Sequence, residues 1–130
     1  MGHMAHDLVI DVENSPGALA RVAAAISDAG VNIAAATCVG KADLAEMHIL
    51  VPHAEAARHA LSISGLAVQH EHDVVVVEVD DRPGVLADLA RKIAAAGINL
   101  NVVYVATGNR VVFGSPDIDS LKKVLGVPES

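Results

Sequence analysis

The sequence contains an internal repeat with an offset of 67 residues. Residues 12–39 align with residues 79–106 without a gap, and ten of the aligned pairs are identical. Matches between alanines arise easily by chance in a chain this rich in alanine, but each copy also carries a Pro-Gly pair, a later glycine and an asparagine at matching positions. Because repetition at a fixed period constrains the architecture, the fold is expected to use one unit twice.

Each repeat predicts a strand followed by a helix. Residues 8–13 alternate apolar and polar side chains, and residues 74–79 are almost uniformly valine, so both segments predict a β-strand. After each Pro-Gly pair the apolar period changes from two to about 3.6, which predicts an amphipathic helix. The apolar helical positions are Leu19, Val22, Ala23 and Ile26 in the first repeat and Leu86, Leu89, Ala90 and Ile93 in the second.

The boundaries of these two helices are marked by proline and glycine. We expect Pro16 and Pro83 in the first helical turn, where the missing N–H costs nothing. Ser15 is a suitable N-cap. Gly30 and Gly97 are expected to end the helices, because glycine accepts the left-handed conformation that often follows a last helical turn.

The remaining segments complete a βαββαβ order in the first repeat and βαββα in the second. The predicted elements are strands at 31–39, 44–51 and 66–72 and a helix at 54–64, then strands at 98–106 and 110–113 and a last short helix. This order is typical of a ferredoxin-like α+β fold, with an antiparallel sheet and the helices on one face. The second repeat lacks its last strand in this prediction, so another copy of the chain or the strand joining the repeats is expected to fill the edge.

The predicted domains follow from the repeat. Residues 1–4 are interpreted as a cloning remnant, residues 5–72 as the first repeat and residues 73–130 as the second. No linker separates residues 66–72 from residues 74–79, so we expect the two repeats to pack closely.

Composition excludes several classes of partner. The net charge of −7, the single Tyr, the single Phe and the absence of Trp weigh against nucleic acid, which needs clustered cations and stacking surfaces. No apolar run reaches the roughly 20 residues that cross a bilayer. Cys38 has no partner for a disulfide within the chain and is expected to be a small core residue. We therefore expect a soluble, cytoplasmic protein.

The repeated loop before each helix has the chemistry to hold a small zwitterion. The first turn of a helix presents N–H groups without intrahelical partners, and the helix dipole adds a partial positive charge. Gly17 and Gly84 would let a carboxylate approach these groups. Asn14 and Asp81 can accept a hydrogen bond from an ammonium group. Turn formation alone also explains each of these residues, so a purely structural role for the loops stays open.

These motifs resemble those of ACT domains. The two patterns are Asn14-Ser15-Pro16-Gly17-Ala18-Leu19 with Gly30-Val31-Asn32-Ile33, and Asp81-Arg82-Pro83-Gly84-Val85-Leu86 with Gly97-Ile98-Asn99-Leu100. In register, they make the chain similar to small stand-alone proteins with two ACT domains. That resemblance implies ferredoxin-like domains that pair side by side and hold amino acids at their interfaces.

The resemblance also implies the candidate ligand-binding residues. They are Asn14, Ser15, Gly17, Ala18, Leu19 and Asn32 in the first repeat, and Asp81, Arg82, Gly84, Val85, Leu86 and Asn99 in the second. The two asparagines at 32 and 99 are predicted to begin the strand beside the loop. Arg82 either clamps a ligand carboxylate or is a solvated loop residue. Because the two loops differ in charge, they need not bind the same ligand.

Three functions are compatible with these features. The first is a non-catalytic module that binds an amino acid, needs no cofactor and forms a homodimer. The second is a regulatory subunit of an amino-acid biosynthetic enzyme, such as the small subunit of acetolactate synthase. The third, an enzyme with the fold of acylphosphatase, lacks an evident Arg-Asn pair in the first loop. A metal site formed by His48, His70 and His72 is geometrically possible, but no cysteine cluster and no helical His-x-x-x-His spacing accompany them. We therefore expect solvated or interface imidazoles and no metal.

Overall fold

The computed structural model describes residues 2–128, which form six strands and four helices. In chain order the elements are β1 (Gly2–Glu13), α1 (Ala18–Asp28), β2 (Ala35–Lys41), β3 (Leu44–Val51), α2 (Ala54–Ile63), β4 (Val68–Glu78), α3 (Val85–Ala95), β5 (Val102–Ala106), β6 (Arg110–Gly114) and α4 (Ile118–Val124). None of the four helices within this range is long and apolar enough to cross a membrane.

The described chain divides into two compact units. One is His6–His72, and the other comprises residues 73–128 together with residues 2–5. Each unit is an antiparallel sheet with its two helices on one face, which confirms the ferredoxin-like α+β prediction.

In the unit His6–His72 the strand order is β2-β3-β1-β4, with β4 contributing residues 68–72. β1 pairs with β3 so that Leu8 lies opposite Ile49 and Val12 opposite Ala45. Because side chains alternate along a strand, these residues share the face that packs on α1 and α2. Val22 and Ile26 of α1 are fully buried in the resulting core.

The second unit repeats this arrangement with the order β5-β6-β4, and residues 2–5 of β1 lie beside β4. Its core contains Val75 and Phe113 from the strands and Ile93 and Leu121 from the helices. β6 pairs with both β4 and β5 in antiparallel register, Val75 lying opposite Phe113.

The N-terminal residues supply the strand that the second repeat lacks. Among the described residues the last element is α4, so no strand of the second repeat itself follows that helix. Met4 packs against the second core, and a Cβ added to Gly2 would lie 2.8 Å from Val127 and 3.4 Å from the carbonyl oxygen of Val76. The edge is therefore filled by this chain's own first residues, neither by another copy nor by the joining strand. Their origin as a cloning remnant stays a prediction.

The helices begin later than the sequence suggested. Gly17 and Gly84 are the N-caps, with left-handed φ angles of 87° and 85°, and Pro16 and Pro83 precede them. A left-handed residue cannot belong to a right-handed helix, so the prolines lie outside the first turn. The prediction of Ser15 as N-cap is also wrong, since its main-chain oxygen instead accepts the Ala18 N–H at 3.3 Å.

The helix ends are confirmed, but the strands that follow start later than predicted. Gly30 has φ 74°, and its N–H donates to the Ser27 oxygen at 2.9 Å, as in a glycine-terminated helix. β2 begins only at Ala35, so Asn32 lies in the connection before the strand, and Asn99 lies likewise before β5. These residues carry the chain from the helix end to the far edge of the sheet.

Candidate functional site

The first repeat has an open groove between the start of α1 and strands β2 and β3. It has a volume of about 450 Å³. Ala45 and Met47 are buried at its floor, whereas Leu19 on one wall is 55% exposed. The residues that line it are Asn14, Ser15, Gly17, Ala18, Leu19, Ala20, Cys38, Ala45 and Met47. We call it groove 1.

Asn14 is fixed at the mouth of groove 1 by the β2–β3 hairpin. Its Nδ2 donates to the carbonyl oxygen of Ala42 at 3.0 Å, and its backbone N–H donates to the oxygen of Asp43 at 2.8 Å. The side chain lies over Gly40, where an added Cβ would come within 2.9 Å of Nδ2. Because Nδ2 is engaged, the amide orientation is set and Oδ1 is the atom left to accept from a ligand.

Gly17 matters for its backbone conformation more than for space. A Cβ added at Gly17 would meet nothing within 4 Å, but its φ of 87° is one that residues with side chains rarely adopt. This conformation turns the chain so that α1 starts beside the groove with its first N–H groups directed out of the helix end. These N–H groups and the helix dipole favour an anion there.

A smaller cavity of about 180 Å³ lies on the other side of the same loop. It contains the charged residues Glu13 and Arg21, and Leu66 closes it. Arg21 donates from Nη2 to the carbonyl oxygen of Ser64 at 3.0 Å, which ties α1 to the end of α2. The remaining lining residues are Val12, Ser15, Pro16, Gly17 and Ala18. The guanidinium of Arg21 is therefore engaged with the end of α2.

The second repeat has a corresponding but different groove, groove 2, with a volume of about 150 Å³. Three charged residues line it, namely Asp80, Asp81 and Arg110. The other lining residues are Val79, Val85, Leu86, Val105, Asn109 and Val111. A wider cavity of about 440 Å³ on the opposite side of this loop includes Glu78 and Asp80. The second loop is therefore flanked by carboxylates.

Arg82 and Gly84 do not line groove 2. Arg82 donates from Nη2 to Asp88 Oδ2 at 3.3 Å, and Arg91 contacts the same carboxylate. Hydrogen bonds from Arg82 and then Arg91 hold the pKa of Asp88 below its usual value. Arg82 thus binds a carboxylate of the helix that follows its loop, and the ion pair is exposed.

Asn14 and Asn32 do not meet within the first unit, and Asp81 and Asn99 do not meet within the second. Asn32 follows the C-terminal end of α1, whereas Asn14 precedes its start. An 11-residue helix is about 16 Å long, so the two ends of α1 cannot contact one small ligand. Asn99 stands in the same relation to α3, and its carbonyl oxygen accepts from Ser115 Oγ at 2.7 Å.

A second polar cluster lies on the sheet face opposite α1 and α2. His48 Nδ1 lies 2.8 Å from Asp7 Oδ2, and His48 Nε2 lies 2.8 Å from Glu46 Oε1. Asp7 is fully buried. The hydrogen bond to Asp7 is the main cause that raises the pKa of His48, partly opposed by burial, and the bonds from His48 and then Lys41 lower the pKa of Glu46.

His48, His70 and His72, the three histidines considered above as metal ligands, have other contacts. Both ring nitrogens of His48 face carboxylates, while His70 and His72 stack on one another with ring centroids 6.1 Å apart. Within residues 2–128, no group of three or more His, Cys, Asp or Glu side chains is arranged to hold a metal ion.

Comparison with protein families decides the identity of the fold. The family model described as "ACT domain pair" matches residues 3–125. The chain belongs to this family. Both loop-helix motifs fall within the matched range, so the ACT pair carries them as the corresponding loops of two related domains. Comparison with curated protein sequences gives no significant match.

Solved structures share the fold of this ACT pair along nearly its whole length. Protein BT0572 from Bacteroides thetaiotaomicron is 27% identical, with a TM-score of 0.84 over 96% of this chain and 88% of that one. The regulatory subunit of aspartate kinase from Thermus thermophilus is 18% identical, with a TM-score of 0.69 over 99% and 96%. E. coli aspartokinase III in complex with aspartate and ADP is 14% identical, with a TM-score of 0.63 over 96% of this chain and 32% of that one.

Sequence reasoning missed part of groove 1 of the ACT pair. Cys38 is exposed on β2 and lines the groove, so its expected place in the core is wrong. The core beneath α1 and α2 takes side chains from β1 and β3 but none from β2. Met47 lies opposite Cys38 across the hairpin, and Val105 follows Cys38 by the repeat offset of 67. The repeat offset was the one sequence signal that could have pointed to Cys38 and Val105 as equivalent groove positions.

Proposed function

We propose that this ACT pair is a non-catalytic regulatory module that binds a free amino acid and works as a homodimer. The observation that carries the proposal is groove 1. None of its lining residues is charged, and it lies between the start of α1 and the oriented amide oxygen Oδ1 of Asn14. The ligand carboxylate lies at the first N–H groups of α1, where charge-assisted hydrogen bonds and the helix dipole favour it. The ligand ammonium donates to Asn14 Oδ1.

Dimerisation completes this site. Asn32 is about a helix length from Asn14 in its own unit, so it reaches a ligand at groove 1 only from a second copy of the chain. β2 and β5 lie at the two ends of the strand order, and an edge strand can pair with a strand of another chain. A ligand that contacts two copies favours the assembled state, and this coupling gives the protein a regulatory output.

A thermal-shift screen against the twenty common amino acids tests the proposal. At least one amino acid is expected to raise the melting temperature of the full chain. Leu19→Asp places a carboxylate at the exposed start of α1, where it suits the helix dipole but repels a ligand carboxylate, so the shift is expected to disappear. If none of the twenty raises the melting temperature of the unmodified chain, the proposed function is wrong.

A second candidate is a regulatory subunit of an amino-acid biosynthetic enzyme. It is favoured by the similarity in fold and length to the regulatory subunit of aspartate kinase from Thermus thermophilus, a chain that this one covers to 96%. The purified chain would then recover a metabolic enzyme from native extract and change that enzyme's activity when added back. An acetolactate synthase would be recovered if the small-subunit hypothesis holds.

The non-catalytic part of the proposal has its own test. Arg21, the arginine nearest the first loop, is already bonded to the carbonyl oxygen of Ser64. We expect no turnover of an acyl phosphate by the purified chain. Turnover that Arg82→Ala abolishes would favour the enzyme hypothesis instead.

A further inference from the structure

We infer that only groove 1 takes the amino acid, and that it selects an aliphatic side chain. This inference rests on the proposed function and names the ligand class of the same site. The two grooves begin at duplicated loops, but they differ in charge, in volume and in the residues that form their apolar walls. Each of these differences acts in the same direction.

Charge separates the two grooves first. None of the nine residues that line groove 1 carries a charge. Groove 2 contains two carboxylates, Asp80 and Asp81, and the second of these replaces Asn14. A ligand carboxylate at the start of α3 would lie beside both, and like charges at close range repel.

The cation of groove 2, Arg110, offsets only one of these two carboxylates and is itself held by the chain. Arg110 donates from Nε to the carbonyl oxygen of Thr107 at 2.6 Å and from Nη2 to Thr107 Oγ1 at 2.8 Å. Its guanidinium is therefore held against the β5–β6 turn by two hydrogen bonds. A ligand carboxylate would have to compete with this arrangement.

The two grooves also differ in volume. The repeat offset replaces Ala18 of groove 1 with Val85, and Cys38 with Val105. Across the hairpin, Met47 lies opposite Cys38, whereas Val111 lies opposite Val105. The β-branched side chains leave about 150 Å³ in groove 2, against about 450 Å³ in groove 1.

The apolar wall of groove 1 defines the ligand class. With the carboxylate at the helix start and the ammonium at Asn14 Oδ1, the ligand side chain is left facing Cys38, Met47 and Leu19. Leu19 is 55% exposed and Cys38 is exposed, while Ala45 and Met47 at the floor are buried. A ligand side chain in the groove therefore covers apolar surface of the walls and loses water itself. A charged or amide side chain would lose its hydration there without a charged or amide partner, whereas an aliphatic one gains.

Isothermal titration of the full chain with leucine, isoleucine, valine, aspartate, lysine and glutamine tests the inference. We expect one site per chain, with an aliphatic amino acid binding at least tenfold more tightly than the other three. Two matched variants locate the site. Cys38→Tyr fills groove 1 from an exposed position, and Val105→Tyr makes the equivalent change in groove 2. Binding is expected to weaken more than tenfold in the first and less than twofold in the second.

The outcomes separate this inference from the proposed function. Tightest binding of aspartate, lysine or glutamine, two sites per chain, or a loss caused by Val105→Tyr alone would overturn the inference and leave amino-acid binding intact. Absence of binding by all twenty amino acids would overturn the proposed function itself. Circular dichroism spectra of both variants that match the unmodified chain show that any loss comes from the grooves and not from unfolding.

Discussion

At the scale of single residues, the cluster of Asp7, His48 and Glu46 links strands β1 and β3. Both imidazole nitrogens face carboxylate oxygens at 2.8 Å, so the ring satisfies both contacts as a donor only when it carries two protons. The raised pKa of His48 follows from this arrangement. Lys41 adds a second cation, 3.3 Å from the other oxygen of Glu46.

The stability contributed by His48 is expected to fall as pH rises. Because the pKa of His48 in the folded protein is raised above the usual value of about 6.5 for histidine, this contribution is fully present below about pH 6.5 and is lost as pH passes through the raised value. His48→Gln should lower the free energy of unfolding by about 1.5–3 kcal/mol at pH 5.5, the range for hydrogen bonds to charged groups. Urea denaturation of both proteins from pH 5.5 to 9 measures the difference, which should shrink on the alkaline side. A stability difference between the two proteins that stays constant over this pH range would contradict the stabilising role of protonated His48.

A second prediction at this scale concerns Gly17. Nothing lies within 4 Å of an added Cβ, so Gly17→Ala tests the left-handed φ of 87° without a steric clash. We expect the free energy of unfolding to drop by about 1–2 kcal/mol. Gly17→Asn is the matched control, because asparagine tolerates this conformation better and should cost less. Equal stability of the alanine variant and the unmodified chain would show that the loop relaxes.

At the scale of secondary-structure elements, the first strand belongs to both units. Residues 2–5 complete the second unit, whereas the rest of β1 lies in the first. Gly2 fits against Val127 because it has no side chain, and Ala5 is buried. The short N-terminal segment is thus an internal part of a core whose other residues begin at position 73.

Deletion of residues 1–5 is expected to destabilise the second unit selectively. The loss exposes the edge of β4 and the apolar surface that Met4 covers. Each kcal/mol lost should lower the melting temperature by about 4–8 °C for a domain of this size. Hydrogen exchange should become faster at residues 74–77 and stay unchanged at residues 44–51. His3→Ala, at an exposed position of the same strand, should leave exchange unaltered.

The elements were largely predictable from the sequence, and their limits were not. Apolar periodicity placed α1 and α3, because their buried faces alternate at the helical period. Residues 1–4 were set aside as a cloning remnant and the first strand was predicted only from residue 8. The pairing of residues 2–5 could not be predicted because their partner lies some 70 residues away and leaves no local pattern. The helix starts were misplaced because Pro-Gly suits a first turn as well as the left-handed residue before it.

The candidate site was predicted only in part for the same reason. The loop residues around Asn14 follow from a local motif, whereas Cys38, Ala45 and Met47 reach groove 1 through strand register. Asn32 was expected beside the loop because the predicted strand began at residue 31, four residues before the observed start of β2. Nothing in the sequence indicated that Asn14 Nδ2 donates a hydrogen bond to the carbonyl oxygen of Ala42 in the β2–β3 hairpin.

At the scale of the whole molecule, the proposed homodimer can be tested at both sheet edges. Ala36 on β2 and Val103 on β5 are equivalent by the repeat offset, and both are exposed. A lysine on an edge strand opposes strand pairing. We therefore expect Ala36→Lys, Val103→Lys or both to convert the dimer into a monomer, measured by light scattering during size-exclusion chromatography. Ile63→Lys, an exposed position on α2, is the control. A dimer that survives both edge changes would rule out pairing through these edges.

The shared first strand has a consequence for biosynthesis. Residues 2–5 are synthesised before the part of β4 beside which they finally lie, which begins to emerge only some 70 residues later. Until then their partner strand does not exist, while the repeat encoded between the two segments can already fold. A nascent ACT pair therefore completes its second unit only when residues 2–5 pair with a strand synthesised later, so a bulky addition at these residues would interfere with the unit whose other residues follow His72.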